Sequence, residues 1–500
     1  MKRKILSLLL CAAMVTTILG GCAAGNQTTS SEESTNTTQS TQTEDSALES
    51  EEVTVKTATT DDVKAALEDE NSIVLDARIS DAYNGWQIDG AARGGHIKGA
   101  ESFSADWLTC DYDEEGNLEG ESREEVLNGY LENKKLTEDK NVIIYDTNGT
   151  DAAAVADYLI SKGIKNVSTY DISKGIKNVS TYDANEWIND DTLEMESYPN
   201  YDLLLPASLV HEIVNGNVPE DFTDAERIVV VDVRWGDNEA SGYLDGHVPT
   251  SVHINTDSFE PPKVYVDGIE EWRLADDETL VQLLLDNGIT ANDCVIATGP
   301  EPLAASRFAV ICQYLGVKDV RVMNGGLTTW NYAGYDLETQ ANEPQKETDF
   351  GISAPANPDL IDTIDEVKQL LTQDNFTLVD NRTWEEFIGE STGYSYHSIA
   401  GRIEGAVFGY AGKNNSSSMS YYRNLDKTMR SADEILAMWD ECGIDTNNHL
   451  SFMCGSGWRA AEVLWDAQVM GLTDVSLYSD GWIAWSNEGN PYITGDPTQK

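Results

Sequence analysis

One short segment near the C-terminus combines residue types that can perform nucleophilic chemistry. The stretch 454–459, CGSGWR, follows an apolar run and precedes the helix-like segment 460–465. A thiol at a strand-to-helix turn faces free amides and the positive end of the helix dipole, which favour the thiolate. Glycines let successive amides converge on one anion, and Arg459 adds a fixed positive charge. We therefore predict that Cys454 is a nucleophile that handles an anionic species.

The elements that must position such a loop occur three times along the chain. Each time, an apolar strand ends in an Asp-x-Arg motif, and a Gly-x-[Ile/Val] turn and a helix with acidic early turns follow. Two of these helices carry a capping box, Ser122 with Glu125 and Ser431 with Glu434. A second apolar strand then enters a small-residue loop and another helix, and a final strand ends near a tryptophan. The Asp-x-Arg motifs lie at 76–78, 232–234 and 380–382, and the second strands at 141–146, 294–299 and 450–454.

This pattern predicts an α/β fold. Apolar strands that alternate with helices indicate parallel sheets covered by helices on both faces. The spacing of the motifs indicates three tandem domains, each with one such sheet. The predicted segments are a lipoprotein signal peptide at 1–22, a disordered Ser/Thr/Glu linker at 23–52, and domains at 53–200, 201–345 and 346–500.

The N-terminus has the features of a bacterial lipoprotein signal. A basic start at 2–4 and a short apolar run at 5–19 precede Leu19-Gly20-Gly21-Cys22, which resembles a lipobox with cleavage before Cys22 and lipidation of that residue. A transmembrane anchor is the alternative, but the apolar run is too short for one. We therefore expect an extracytoplasmic protein held on the cell membrane by acyl chains alone.

Charge and cysteine content limit the class of partner. The formal net charge of -54 opposes nucleic acid as a partner and favours solubility, although it indicates nothing about chemistry. Without Cys11 and Cys22, five cysteines remain, an odd number, so at least one is free or pairs with another molecule. Cys294 and Cys312 lie in apolar runs typical of inert core residues. No cysteine or histidine spacing suggests zinc, and we expect no cofactor.

The first unit contains an exact internal duplication. Residues 160–171 are repeated verbatim as 172–183. Only one copy can occupy the helix end and strand that the other units contain at this position. We expect the other copy to form a loop.

The ordered motifs resemble those of rhodanese domains: Asp-x-Arg, Gly-His-Ile-x-Gly-Ala, Cys-x-x-Gly-x-Arg and a closing Gly-Gly-x-x-x-Trp. The third unit is especially similar to the three-domain periplasmic thiosulfate sulfurtransferases, through the stretch 428–433 and the loop 454–459. In that family only the last domain keeps the cysteine. Here Asp146 and Gly299 occupy the equivalent positions, which implies that the first two domains are inactive.

The resemblance also implies an activity. Cys454 would take the outer sulfur of a small anionic donor such as thiosulfate, hold it as a persulfide, and pass it to a thiol or cyanide. The related phosphatases have one residue more in this loop, so the shorter loop favours sulfur over phosphate. The residues expected to bind donor and persulfide are Gly455, Ser456, Gly457, Trp458, Arg459 and Arg402, with support from Asp380 and Arg382.

Several alternatives remain open on the sequence alone. Arg382 can pair with Glu386 for structural reasons, Arg402 can be a solvated arginine in place of the usual histidine, and Trp458 can be a packed interdomain aromatic. Instead of an enzyme, the protein can be a sulfur carrier that delivers persulfide sulfur to a protein partner, or a structural lipoprotein with a relict site. 3-Mercaptopyruvate is an alternative donor, although the enzymes that use it usually end this loop in Val-Thr.

Overall fold

The computed structural model describes residues 55–88, 90–111, 120–163, 167–168, 179–222, 225–266, 268–413 and 415–499. The predicted signal peptide and linker lie outside these residues, which all belong to one compact unit. Among the helices of this described part, none is long and apolar enough to cross a membrane.

Three parallel sheets with flanking helices follow one another along the chain. The first domain contains β1 Val55–Thr57, α1 Thr60–Leu67, β2 Ser72–Asp76, α2 Ser80–Asn84, β3 His96–Ile97, β4 Glu101–Ser102, α3 Arg123–Asn133, β5 Asn141–Asp146, α4 Asp151–Ser161, β6 Val167–Ser168, β7 Val179–Asp183, α5 Ala184–Ile188 and β8 Met195–Glu196. The second contains β9 Leu204–Leu205, α6 Ala207–Val214, β10 Ile228–Arg234, β11 Val252–Asn255, β12 Pro262–Val266, β13 Ile269–Trp272, α7 Asp277–Asp286, β14 Cys294–Thr298, α8 Pro302–Leu315, β15 Asp319–Met323 and α9 Gly326–Tyr332. The third contains β16 Ile361–Asp362, α10 Ile364–Leu370, β17 Phe376–Asp380, α11 Trp384–Ile388, β18 Arg402–Ile403, β19 Val407–Phe408, α12 Ala432–Cys442, β20 His449–Met453, α13 Trp458–Val469, β21 Val475–Tyr478, α14 Gly481–Asn487 and β22 Tyr492–Ile493.

The three sheets have the same strand order. It is β1-β7-β5-β2-β4 in the first domain, β9-β15-β14-β10-β11 in the second and β16-β21-β20-β17-β19 in the third. All neighbours along these paths are parallel, with helices as crossovers, as expected for strands buried on both faces. The predicted fold class, three tandem α/β domains with parallel sheets, is confirmed.

The register places each Asp-x-Arg motif beside the strand that enters the small-residue loop. Asp380 is paired with Met453 across β17 and β20, and Asp232 is paired with Thr298 across β10 and β14. The carboxyl ends of parallel strands lie at one edge of the sheet, where α/β proteins carry their sites. The motif carboxylate therefore lies beside the strand end from which the loop begins.

Local capping signals account for the starts of the central helices. Ser122 and Glu125 form both bonds of the predicted capping box at α3. At α12, Ser431 accepts the Glu434 amide as expected, while the Glu434 carboxylate also pairs with Lys134 of the first domain at 3.1 Å. The Glu434 carboxylate, which the capping box predicts to bind only at the start of α12, therefore also binds the buried Lys134 of the first domain.

The duplicated segment lies partly outside the described residues. Of its second copy, Val179–Asp183 forms β7, the strand between β1 and β5. Of its first copy, Val167–Ser168 forms a short strand that also pairs with β5, through Val142. The normal strand position is therefore filled by the second copy.

The second and third domains share one apolar core. A single cluster of buried residues contains Phe308 and Ile311 from α8 together with Val463 and Leu464 from α13. The antiparallel hairpin β12–β13 also extends from the second domain to the third, where Glu271 accepts a hydrogen bond from Asn487 at 2.7 Å. These contacts fix the second domain against the elements that flank the CGSGWR loop.

Candidate active site

The CGSGWR loop connects the end of β20 to the start of α13. Cys454 is 1% exposed and lies directly after the strand. Gly457 caps the helix with a φ of +85°, a left-handed conformation that favours glycine. The thiol therefore lies at the amino end of α13, where the helix presents unbonded amides and the positive end of its dipole.

Backbone hydrogen bonds from α14 hold two carbonyls of the loop. The amide of Trp482 donates to the Cys454 carbonyl at 2.9 Å, and that of Ile483 donates to the Gly455 carbonyl at 3.0 Å. Within the described residues, no acceptor pairs with the amides from Gly455 to Gly457. With its carbonyls held by α14, the loop leaves a set of free donors suited to an anion.

A tyrosine hydroxyl explains why the residue after the cysteine is glycine. A Cβ added at Gly455 would lie 1.9 Å from the hydroxyl oxygen of Tyr394. Tyr394 is also hydrogen-bonded to Arg459, whose Nη2 donates to its hydroxyl at 3.0 Å. Burial raises the pKa of Tyr394, so the neutral hydroxyl persists beside the loop.

The guanidinium of Arg459 forms a buried ion pair. Its Nη1 and Nη2 donate to the two carboxylate oxygens of Glu386 at 2.9 and 3.0 Å. Although burial acts to raise the pKa of Glu386, the Arg459 and Arg382 guanidiniums hold it below its usual range. The Nε of Arg459 is buried and has no hydrogen-bond partner within the described part of the chain. Arg459 thus shapes the loop as half of a neutral pair rather than as a free positive charge.

The two supporting residues form a separate ion pair. The guanidinium of Arg382 donates to both Asp380 oxygens at 2.8 and 2.6 Å and to the Gly401 carbonyl at 2.9 Å. It also lies 4.9 Å from the ring centroid of Trp482, the residue whose amide holds the Cys454 carbonyl. The alternative that Arg382 pairs with Glu386 is wrong, because Arg382 binds Asp380 and the Gly401 carbonyl, whereas Glu386 binds Arg459.

Arg402 does not contact the cavity that contains Cys454. Its Nη1 donates to the carbonyls of Phe387 and Gly495, and its guanidinium lies 4.7 Å from the Phe387 ring centroid. In the first two domains the corresponding histidines, His96 and His247, likewise bond the carbonyl of an aromatic residue, Tyr83 or Tyr243, and stack on the ring of that same residue. The expected anion contact from Arg402 is therefore corrected: this arginine replaces a structural histidine, and it is buried rather than solvated.

Cys454 opens onto a cavity of about 730 Å³ between the second and third domains. The third domain contributes the loop and the two tyrosines of the segment 393–396, while the second contributes most of the opposite wall. Cys454, Ser456, Trp458 and Arg459 of the predicted site line it together. The cavity is also lined by Trp235, Glu260, Trp272, Arg273, Tyr394, Tyr396 and Asp480.

Two pairs of aromatic rings line this cavity, and in each pair one ring comes from the second domain and one from the third. The ring of Trp235 lies 4.9 Å from that of Trp458, and the ring of Trp272 lies 5.5 Å from that of Tyr396. Trp235 is 48% exposed and Tyr396 is 58% exposed, so both present ring surface to solvent. Trp458 therefore both lines the cavity and packs against the second domain.

Carboxylates outnumber cations on the cavity wall. Asp257, Glu260, Glu271, Glu301 and Asp480 line it, against the guanidiniums of Arg273 and Arg459. Burial raises the pKa of Asp480 even though Arg273 and Arg307 act to lower it. Four of these carboxylates form ion pairs, Glu260 with Arg307, Glu271 and Asp480 with Arg273, and Glu301 with Arg423 and Lys427, so cations neutralise most of the negative charge on the wall.

Reasoning from sequence missed the residues that complete the site. The position of Glu386, third in the helix after the N-cap Thr383, is typical of a capping box and could be recognised in the sequence. Its ion-pair partner could not, because Arg459 is distant in the sequence. Tyr394 and Tyr396 stand in a short Gly/Ser/Tyr segment that resembles an ordinary loop. Glu260, Trp272 and the rest of the second-domain wall belong to a domain predicted to be inactive and carry no local motif.

The remaining described cysteines lie away from this cavity. None of the described cysteines forms a disulfide, which agrees with the expectation of at least one free thiol. Cys294 and Cys312 are buried, and burial raises the pKa of both thiols, as expected for inert core residues. Burial also raises the pKa of Cys442 to about 11.

Comparison with known proteins agrees with the repeated architecture. The rhodanese-like domain family matches residues 59–180, 220–333 and 363–488. Thiosulfate sulfurtransferase YnjE of Escherichia coli is 33% identical over 428 residues, 85% of this chain and 90% of that protein. Bos taurus thiosulfate sulfurtransferase is 24% identical over 274 residues, 52% of this chain and 86% of that protein.

Solved structures show the same arrangement over nearly the whole chain. The anaerobic ergothioneine biosynthesis enzyme from Chlorobium limicola, in complex with trimethyl histidine, has a TM-score of 0.77 at 32% identity and covers 89% of this chain and 100% of that chain. A variant of EanB in complex with ergothioneine has a TM-score of 0.78 at 31% identity, covering 89% of this chain and 100% of that chain. With three family matches that together span more than half of its length, this chain belongs to the rhodanese family.

Proposed function

We propose that this protein is a sulfurtransferase that carries sulfane sulfur as a persulfide on Cys454. The observation that carries the proposal is the position of this thiol: it lines the cavity and lies beside loop amides that no described residue engages. The names of its relatives, thiosulfate sulfurtransferases from Escherichia coli and Bos taurus, support the same chemistry.

The loop can assist both half-reactions. The Cys454 thiolate attacks the outer sulfur of thiosulfate, a new S–S bond forms, and the old S–S bond breaks as its electron pair leaves with sulfite. Free amides of the loop stabilise the charge that develops on the transferred sulfur and on the leaving sulfite. In the second step an acceptor such as cyanide or a thiol attacks the outer persulfide sulfur, and the thiolate is restored.

Mass spectrometry of the protein after incubation with thiosulfate tests this proposal. We expect one added sulfur atom on the peptide that contains Cys454, and we expect cyanide to remove it with release of thiocyanate. Cys442→Ser serves as the control, because Cys442 is half-buried and does not line this cavity. It should load sulfur as the wild type does, whereas Cys454→Ser should load none.

The other outcomes separate the alternatives. Sulfur that reaches Cys454 only from a persulfidated protein donor would favour the carrier function over turnover of small donors. Loading from 3-mercaptopyruvate but not from thiosulfate would change the donor and keep the persulfide. An absence of sulfur on Cys454 from all three sources would contradict the proposal.

A second candidate function is sulfur transfer to a cationic acceptor such as the betaine hercynine. The favouring observation is the cavity mouth, where exposed rings of Trp235, Trp272 and Tyr396 stand among carboxylates. Aromatic faces and nearby carboxylates attract quaternary ammonium groups. The structurally similar enzyme EanB has been solved in complex with hercynine, which is the reason to choose this compound as the probe.

Competition between acceptors tests the second candidate. Protein preloaded with sulfur on Cys454 is mixed with hercynine or with cyanide, and the loss of the added sulfur is followed by mass spectrometry. Discharge by hercynine with formation of ergothioneine would support it, and a Trp272→Ala variant should then lose hercynine discharge but keep cyanide discharge. Discharge by cyanide alone would contradict it and leave the first proposal intact.

We also propose that the protein is an extracytoplasmic lipoprotein anchored through Cys22. The lipobox-like sequence 19–22 supports this proposal, and it lies outside the described residues. Metabolic labelling with a fatty acid in a bacterial host tests it. We expect labelled protein from the wild-type chain and none from Cys22→Ser, and equal labelling of both would contradict the anchor.

A further inference from the structure

A buried ion pair of the second domain lies under the nucleophile loop of the third. Arg307 on α8 is fully buried, and its Nε and Nη2 donate to one oxygen of Glu260 at 2.9 and 2.6 Å. Glu260 is 3% exposed and precedes the hairpin β12–β13. Both residues belong to a domain in which Gly299 stands where the third domain has its cysteine.

This pair contacts Trp458 of the loop and Ser479, a residue that precedes α14. The other oxygen of Glu260 accepts a hydrogen bond from the indole Nε1 of Trp458 at 2.7 Å. The Nη2 of Arg307 also donates to the hydroxyl of Ser479 at 2.6 Å. Trp458 is the first residue of α13, and Ser479 lies just before α14, whose amides hold the Cys454 and Gly455 carbonyls. The ion pair thus contacts the loop itself, through Trp458, and the segment that leads into α14, through Ser479.

The loop also packs closely against the arginine. A Cβ added at Gly457 would lie 2.9 Å from Nη1 of Arg307 and 2.6 Å from the Ser479 carbonyl oxygen. Nη1 of Arg307 is buried and has no hydrogen-bond partner among the described residues. The loop backbone at Gly457 therefore lies directly against a guanidinium of the neighbouring domain.

Stability alone does not explain such a pair. Removing two charges from water costs about as much as their attraction returns, and apolar residues of similar size often stabilise a core as well or better. The geometry of the pair, by contrast, is directional, since the four hydrogen bonds among Arg307, Glu260, Trp458 and Ser479 define where the Trp458 indole and Ser479 can lie. A directional contact suits a loop whose amides must point at a reacting anion.

We propose that Glu260 and Arg307 are positioning residues that act through Trp458 to hold the nucleophile loop in its open, amide-presenting conformation. The second domain, which has no nucleophile of its own, would then contribute two residues that hold the active-site loop of the third domain in place. The proposal rests on the proposed function of Cys454. It assigns the ion pair to the sulfur-loading step rather than to binding of the donor.

Single-turnover loading of the full chain by thiosulfate tests the proposal, with thermal unfolding measured for every variant. Trp458→Phe keeps an aromatic ring but removes the indole donor, and Glu260→Gln removes the charge that holds Arg307. We expect each to lower the maximal loading rate by about tenfold, with less than a twofold change in the thiosulfate concentration at half-maximal rate, because misplaced amides slow chemistry more than encounter.

A double-mutant cycle distinguishes positioning from a separate role. Because Glu260 is proposed to act through Trp458, the double variant Glu260→Gln, Trp458→Phe should load sulfur about as slowly as the slower of the two single variants. Arg307→Lys keeps the charge but not the fork, so its loading rate should lie between those of the wild type and Arg307→Gln. If Glu260→Gln does not fold, Trp458→Phe and Arg307→Lys still provide the test.

Arg227→Gln is the matched control. Arg227 of the same domain forms ion pairs with Asp293 at 2.9 Å and with Glu347 at 2.7 Å, and it does not line the cavity. We expect this variant to unfold at lower temperature and to load sulfur at the wild-type rate. The positioning role would be overturned if the loading rate of the double variant fell by the product of the two single fold-losses. It would also be overturned if Trp458→Phe and Arg307→Lys loaded sulfur at the wild-type rate. An absence of loading by the wild type would instead overturn the proposed function.

Discussion

The loops of the first and third domains follow the equivalent strands of their two sheets, β5 and β20, and their backbone amides differ in whether a side chain of the protein binds them. In the first domain the Asp146 carboxylate accepts the amides of Gly149 and Ala152 at 3.0 and 2.9 Å. In the third domain Cys454 stands at that position, and no described residue engages the amides that follow it. In the first domain a carboxylate of the chain itself thus binds the loop amides, whereas in the third domain the described residues leave the corresponding amides unengaged.

The second domain shows a third version of the same loop. Gly299 has a φ of +147°, and a Cβ added there would lie 2.8 Å from the Val233 carbonyl oxygen. The Glu301 carboxylate of this loop pairs with Arg423 and Lys427 of the third domain. This loop has become an interdomain contact, so the absence of a nucleophile in a domain does not make its loop unimportant.

The strongest test of the comparison moves the thiol from one loop to the other. A chain with Cys454→Ser and Asp146→Cys should transfer sulfur at least about a thousandfold more slowly than the wild type. The first loop has Asp151 at the position of Arg459, so a thiol there faces a carboxylate. Cyanide-dependent release of thiocyanate measures the rate. Transfer near the wild-type rate would show that the loop surroundings contribute little.

The second test separates the charge pair from folding stability. Arg459→Met leaves Glu386 buried without its partner, which should cost about 3–5 kcal/mol of unfolding free energy. Adding Glu386→Met should restore most of that stability but not sulfur loading, because the loop loses its bond to Tyr394 and its fixed shape. Denaturant unfolding and loading assays on the two variants measure both effects. Recovery of loading in the double variant would contradict a role for the pair in the site.

The third test concerns the space beside the loop. Gly455→Ala places a methyl group against the Tyr394 hydroxyl, so the loop or the Tyr394 side chain that binds Arg459 must shift. We expect sulfur loading to slow by about tenfold to a hundredfold. Gly129→Ala is the matched control, because nothing lies within 4 Å of a Cβ at this helical position. The control should load normally, and normal loading by Gly455→Ala would mean that the loop shape tolerates the shift.

The smallest expected effect is a pH dependence in the first loop. Burial raises the pKa of Asp146 despite its two amide bonds, so the folded chain binds this proton more tightly than the unfolded chain. The unfolding free energy of the wild type minus that of Asp146→Asn should therefore fall as pH rises from about 4 through the folded pKa. Denaturant titrations over this range measure it. A rise instead would show that the amide bonds outweigh burial.

Patterns within short segments predicted the fold well. Apolar strands, Asp-x-Arg ends and serine caps depend on neighbouring residues, and the structure contains all of them in the expected order. The predicted pairing of Glu386 with Arg382 was wrong because local patterns favour a nearby arginine. The actual partner, Arg459, lies 73 residues away in the sequence. Arg402 was expected to contact an anion because it replaces the usual histidine, but its guanidinium binds the carbonyls of Phe387 and Gly495 instead.

The sequence by itself determined three α/β domains, the position of the thiol and the glycines that free its amides, because these follow from periodicity and local backbone preference. Only the tertiary structure decided that Arg459 is neutralised by Glu386 and that Trp458 bonds Glu260, 198 residues away in the chain. Those pairings depend on how whole domains pack, and many equally spaced acidic residues compete for each cation until packing brings one within reach.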